Sequence, residues 1–222
     1  MEATPLRIDP DEAVRGIDWA QVFGGPGPVE VEVGPGKGRF ILTVAEARPA
    51  VRMFGIEWAN EYLRIAEERA LRRQLKNVRF ARADARELVC GAIPADSVTS
   101  YYVFYPDPWP KNRHHKRRFF QAETVDHLAR TLVRGGQLHV ATDHDEYWIW
   151  ILERMTGHPA FEPLPEFGGP DFPLSAEGPL TNFEAKYAVE GRSRNRGSWR
   201  RLDVPFEPAT RPKSTHPRRK LS

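Results

Sequence analysis

The run VEVEV at Val29–Val33, followed at once by GPGKG and then by RFILTVAEAR, most narrows the folds open to this chain. Alternating apolar residues read as a short strand, and the stretch after the glycines reads as a helix. Gly34, Gly36 and Gly38 let the backbone turn tightly and approach a ligand with no Cβ in the way. The same order then repeats. VRMFGIE (51–57) reads as a strand, and WANEYLRIAEERALRRQL places Tyr62, Leu63, Ile65, Ala66, Ala70, Leu71 and Leu75 at helical spacing. NVRFARAD and DSVTSYYVFYP (96–106) read as strands, 119–133 as helix, 136–142 as strand and 144–155 as helix. Such alternation predicts an α/β fold with a doubly wound, mostly parallel sheet, whose ligands sit beyond the carboxyl ends of the strands. Residues 1–28 read as an extension, 29–205 as the domain, with a Pro- and Gly-rich loop at 159–179, and 206–222 as a disordered basic tail.

At 222 residues the chain is long enough to bury one α/β core. Neither a secretory apolar segment nor a run approaching the roughly 20 apolar residues of a bilayer span is present, so the expectation is a cytoplasmic protein with no membrane partner. The single cysteine, Cys90, excludes an internal disulfide and a multi-Cys zinc site. A net charge of +3 conceals a strong asymmetry: residues 186–222 carry 11 Lys and Arg against 3 Asp and Glu. Residues 111–118 add five cations and no acid, so the remainder is acidic. Two concentrated basic segments on an acidic body point to a polyanionic partner.

The glycine loop has the spacing G-x-G-x-G, and Arg39 stands where a dinucleotide fingerprint would place its last glycine. Glu57 closes the second strand and Asp84 follows the third, while Glu32 lies just ahead of the glycines. An acid at the end of the second strand can accept both hydroxyls of a ribose, and one after the third can meet an adenine amino group. Together they resemble class I S-adenosylmethionine-dependent methyltransferases, whose seven-stranded, Rossmann-like sheet the resemblance implies here. A cofactor with a sulfonium and no phosphate suits an acid-rich pocket.

Residues 104–120, FYPDPWPKNRHHKRRFF, hold one acid, Asp107, inside a stiff Pro-Trp-Pro turn followed by a cationic run. YPDPWPKNRHHKRR is similar to the signature of the bacterial tRNA (guanine-N7-)-methyltransferase family, together with VEVGPGKGRF, GIEWAN, ATDHDEY and TNFE. The resemblance implies S-adenosylmethionine as cofactor and tRNA as partner, with methyl transfer to guanine N7 at position 46 of the variable loop, by a monomer or homodimer. It implies that Glu32, Glu57, Asp84 and Asp107 contact the cofactor, and that Asp107 is catalytic. Lys111, Asp143, Thr181, Asn182, Phe183 and Glu184 fall on substrate positions, and Arg113, His114, His115, Lys116, Arg117 and Arg118 on an RNA grip. Thr181 and Glu184 also match a helix capping box. The family commonly has Lys where Asn182 stands, and its usual ending is replaced after Glu184.

Guanine N7 has a free lone pair and no proton, so its methylation needs no general base. Asp107 would either stabilise the cation that develops on the purine or orient the ring through its N1–H and amino group. The adjacent histidines lack the further ligands that a metal site needs, so no metal is expected. Trp109 either packs the turn or flanks the base. Two other enzyme readings remain: methylation of an exocyclic nucleobase amine, whose motif sets prolines directly after the polar residue, and nicotinamide-dependent oxidoreduction, which Arg39 opposes. An RNA-binding module without catalysis is the third alternative, opposed by the intact glycines and acids.

Overall fold

The computed structural model describes residues 6–9, 13, 15–169, 172–173 and 194–208. Among these, β1 (Arg7–Ile8) and α1 (Trp19–Phe23) precede β2 (Val29–Val33), α2 (Arg39–Ala47), β3 (Arg52–Glu57), α3 (Asn60–Arg72) and β4 (Val78–Arg82). The short α4 (Ala85–Glu87) runs into a π-turn at Leu88–Ala92, then β5 (Val98–Phe104) and a 3-10 turn at Asn112–Arg117. The chain continues through α5 (Ala122–Thr131), β6 (Leu132–Thr142), α6 (Asp145–Met155), β7 (Phe161–Pro163) and β8 (Asn195–Arg201). The strands form one eight-stranded sheet in the order β1-β4-β3-β2-β5-β6-β8-β7. Strands β1 to β6 pair with one another in parallel, and β8 is antiparallel to both β6 and β7. Strand order reverses between β2 and β5, which is where doubly wound sheets open a ligand crevice.

Both faces of the sheet are covered. Val31, Phe54, Tyr101, Val103 and Val140 pack with Val125 and Leu128 of α5 and with Tyr147 and Ile151 of α6. Met53, Phe80, Tyr102 and Phe104 pack on the other face with Phe40, Ile41 and Val44 of α2 and Leu63 and Ala66 of α3. The alternation in β2 therefore marks two interior faces, and both of its acids are buried. Glu30 is satisfied by Arg48 at 3.0 Å and by the Tyr102 hydroxyl at 2.8 Å. Burial pushes its pKa up, and the Arg48 charge and the Tyr102 and Arg48 hydrogen bonds pull it back.

Several boundaries differ from those read in the sequence. The helix expected over 119–133 begins at Ala122 and ends at Thr131, and the strand after it starts at Leu132 rather than 136. An irregular register between Val98 and Ser100 absorbs the extra residues around Gly135, whose φ is +78°. The loop expected over 159–179 contains β7, and the basic ending contains β8, whose Trp199 is buried against the sheet. Arg201 in that strand is 3% exposed and donates to the carbonyls of Ala129, Leu202 and Val204. The fold beyond residue 208 lies outside the described residues.

Gly55, central in β3, lets α2 lie close on the sheet: a Cβ there would meet Phe80 Cδ1 at 2.7 Å and Ile41 Cδ1 at 3.0 Å. Overpacking of this kind costs about 1–3 kcal/mol. Gly55→Ala should lower the free energy of urea unfolding by that amount, and an unchanged midpoint would show that α2 can shift away from β3.

Candidate functional site

The parallel strands end on one edge. Register pairs Val33 with Ile56, Glu57 with Arg82, and Phe104 with Ala141, so the segments after β2, β3, β4, β5 and β6 emerge side by side. Gly34, Glu57, Asp84, Asp107 and Asp143 are therefore brought together along that edge by topology, although 109 positions separate the first from the last.

The glycine loop and Glu57 form one unit. Gly34 and Gly36 have φ of +72° and +53°, a region costly for other residues, and a Cβ on either would face open space. The loop thus presents bare backbone outward, with room for a ligand. Glu57 reaches back to it: Oε2 accepts from Gly36 N at 3.0 Å and Oε1 from Ala59 N at 2.8 Å. These amides do not exhaust the lone pairs of the carboxylate. Burial raises the pKa of Glu57, the amides of Ala59, Gly36 and Trp58 oppose the rise, and the Asp107 charge adds to it. That coupling sets Asp107 within electrostatic reach of Glu57.

Glu32 lies deeper. Gly38 opens α2 in a left-handed conformation with no side chain to cap the helix, and Glu32 Oε2 accepts the Ile41 amide at 3.0 Å in its place. Its carboxyl is 2% exposed, and burial pushes its pKa up to about 8, against the Ile41 hydrogen bond and with help from the Glu57 charge. Asp84 is exposed and caps α4, accepting from Arg86 N at 2.9 Å. Capping orients the Asp84 carboxylate without using all its lone pairs. Trp58, directly after Glu57, is 44% exposed at the same strand end.

After β5 the chain is strained. Tyr105 and Trp109 have φ of +54° and +43°, and they bracket Pro106, Asp107 and Pro108. Asp107 is exposed between them. Trp109 packs within the turn, with the Arg117 guanidinium 4.9 Å from its ring and His114 edge-on at 5.7 Å. Lys111, Arg113, Lys116 and Arg117 are exposed, and His114 is half-buried. Desolvation and the charges of Arg117, Arg113, Lys111 and Lys116 hold His114 below the ordinary histidine pKa. His115 faces inward instead, edge-on to Trp150 at 5.4 Å and 3.4 Å from Glu146. Arg118 corrects the reading of the cationic run: it is 0% exposed, so no phosphate can reach it. Asp143 is half-buried one residue beyond β6, beside the start of α6. Thr181, Asn182, Phe183 and Glu184 lie outside the described residues.

The donor set fits a nucleoside bearing a cation: carboxylates for hydroxyls and amines, and open glycine backbone. Among the described residues Cys90, Glu123 and His127 lie close enough to hold a metal ion. Arg130 Nε donates to His127 Nδ1, however, which keeps the neutral ring's proton on Nε2, the nitrogen a metal would need.

Comparison with known proteins agrees with this geometry. Residues 26–196 match the family model Methyltransf_4, described as "Putative methyltransferase". A tRNA (guanine-N(7)-)-methyltransferase of Mycolicibacterium paratuberculosis is 37% identical over 195 residues, covering 87% of this chain and 74% of the relative. The enzyme of the same name from Geobacter metallireducens is 34% identical over 192 residues, covering 86% and 90%. Among solved structures, an rRNA methylase from Streptococcus thermophilus superposes with a TM-score of 0.54 at 12% identity, covering 87% of this chain and 93% of that one. An S-adenosylmethionine-dependent O-methyltransferase of Thermotoga maritima gives 0.52 at 16%, covering 90% and 68%. These structural likenesses establish the Rossmann-like class I methyltransferase fold.

A buried carboxyl with a raised pKa has a stability consequence. The folded chain keeps a proton that the unfolded chain releases, so the Glu32 contribution is intact below the ordinary glutamate pKa and is lost as pH rises through about 8. The Tm of the cofactor-free protein should fall between about pH 5 and about pH 8 and level off above that, and Glu32→Gln should remove most of that fall. Equal slopes in a thermal-melt series would show that Glu32 is already ionised in the folded chain.

Proposed function

We propose a mechanism that starts from one premise: the chain belongs to the tRNA (guanine-N(7)-)-methyltransferase family, and it methylates N7 of guanine in tRNA. S-adenosylmethionine, when bound, supplies a methyl group on a sulfonium, which guanine N7 takes with its lone pair to leave a neutral thioether and a cationic purine. Gly34 and Gly36 offer the open backbone on which the cofactor lies. Glu57 takes the ribose hydroxyls and Asp84 the adenine amino group, and Glu32, protonated without cofactor, loses its proton to solvent as the cation approaches and sets a carboxylate at the cationic end.

Asp107 stands between the two halves of the site. Its neighbours on one side are the cofactor acids, and on the other the exposed cations Lys111, Arg113, Lys116 and Arg117 begin four residues later. This single juxtaposition, an exposed carboxylate on a strained turn between an acid-lined edge and a cationic surface, carries the reading. The carboxylate favours positive charge as it develops on the purine, or accepts from the guanine N1–H and amino group to aim N7. The cations hold phosphates on either side of the base without reading sequence. Asp143, one strand over, faces the same base, and the target is guanine 46 of the variable loop. Acting on tRNA, the enzyme works in the cytoplasm. The amine-methylating alternative has no observation in its favour, since Trp109 with its positive φ replaces the second proline that such motifs carry.

Incubation with labelled S-adenosylmethionine and unmodified tRNA, followed by digestion, should yield 7-methylguanosine as the labelled nucleoside. Labelled N2-methylguanosine or N6-methyladenosine would move the enzyme to the amine class. In single-turnover experiments at saturating tRNA, Asp107→Asn should slow transfer by about 10²–10³-fold, the cost of losing one preorganised electrostatic partner, with little change in tRNA affinity. A near-normal rate would assign Asp107 a structural role only. Neutralising Arg113 and Lys116 should flatten the log–log salt dependence of tRNA binding by roughly 0.7–0.9 per lost phosphate contact.

A further inference from the structure

Arg118 is wholly buried at the end of a cationic surface run, and nothing in the chemistry above uses it. Its Nε donates to the carbonyl of Pro108 at 2.8 Å, and its Nη2 donates to Glu146 Oε1 at 2.7 Å. The guanidinium carbon lies 5.0 Å from the Tyr147 ring centre and 4.8 Å from that of Trp150, so aromatic faces on α6 meet the rest of its charge. The backbone of Arg118 is fixed as well: its N–H donates to His115 O at 3.1 Å, and its carbonyl accepts from Gln121 Nε2 at 3.1 Å. One residue thereby closes the loop from Pro108 to Arg118 and pins the loop to α6.

The carbonyl it holds is a telling one. Pro108 separates Asp107 from Trp109, and the peptide unit that carries this carbonyl leads into the left-handed φ of Trp109. A free turn would relax that strain by rotating this peptide, and the rotation would swing Asp107. Holding the oxygen blocks the rotation. Glu146 is 56% exposed, yet it braces the buried end of Arg118 and leaves the guanidinium no freedom to swing.

We propose that Arg118 is a positioning residue for methyl transfer, acting through the Pro108 carbonyl to keep Asp107 aimed and Trp109 strained, with Glu146 as its brace. It is not a phosphate contact, in contrast to its exposed neighbour Arg117. The proposal rests on the reading of Asp107 given above.

The test compares Arg118→Lys, Arg118→Met and Glu146→Ala with wild type and Asp107→Asn. Lysine keeps the charge but cannot reach Pro108 and Glu146 with one planar fork. Single-turnover rates at saturating tRNA should fall about 10–10²-fold for Arg118→Lys, and further for Arg118→Met, as expected for a reacting group displaced by about 1 Å. The salt slope of tRNA binding should stay at the wild-type value for both, whereas Arg117→Gln should lower it by about 0.7–0.9. Amide hydrogen exchange without cofactor or tRNA should quicken across residues 105–117 in each Arg118 variant and in Glu146→Ala. A salt slope lowered by Arg118→Lys, saturated rates within twofold of wild type, or unchanged exchange would each overturn the proposal. If both Arg118 variants fail to fold, Glu146→Ala decides, because its side chain is largely in solvent. Quickened exchange with a full-rate Asp107→Asn would leave the brace standing and remove the role assigned to Asp107, so the two failures are distinguishable.

Discussion

A run of strands that all point the same way governs this molecule. Because β4, β3, β2, β5 and β6 are parallel, every connection after them begins on one edge, and the helices that follow turn their amino ends toward it. Helix amino ends carry partial positive charge and unpaired N–H groups, so acids placed there are stabilised and oriented together. Glu32 caps α2 from within the sheet, Glu57 accepts the amide at the mouth of α3, and Asp84 caps α4. The carboxylates that meet these helix ends are the ones proposed above to hold the nucleoside. This sharing explains how the site can be rigid although it is built from loops.

The parallel core was legible because its signals are local. A glycine loop after an alternating strand, helical spacing in 62–75 and acids at strand ends each need only a short window to read. What escaped reading depends on distant partners. Arg7–Ile8 is a strand only because it pairs with Phe80 and Ala81, and two residues leave no periodic trace. NRGSWRR reads as basic and irregular, yet Arg201 finds three carbonyls and Trp199 finds the sheet. Burial of an arginine cannot be read from composition, since the acceptors that make it tolerable lie elsewhere in the chain.

The candidate site follows the same division. Gly34, Gly36, Glu57, Asp84 and Asp107 were found from spacing and from the family signature, and topology gathers them on one edge. The six-residue cationic stretch was read as a uniform surface, but a 3-10 turn sends its members in different directions. Arg113, Lys116 and Arg117 face solvent, His115 leans on Trp150, and Arg118 passes inside. Charge counting gives the sign of a surface and not the direction of a side chain. Glu32 shows the converse: its place was legible, whereas the depth that makes it titrate near neutrality emerged only from the packed helix above it.

Strand β8 completes the sheet from the far end of the chain. His139 of β6 meets Ser198 of β8 across 59 positions of sequence. At a synthesis rate of about 5–20 residues per second, that interval corresponds to roughly 3–12 seconds on the ribosome. Throughout it, one side of β6 displays unpaired backbone groups between apolar residues such as Leu138 and Val140. An open edge of that kind can recruit any extended segment, including the same strand of a neighbouring nascent chain. The long return to β8 therefore makes the emergence of that strand a step in folding, and it ties yield in a cell to how fast β8 emerges and whether the edge is shielded until then.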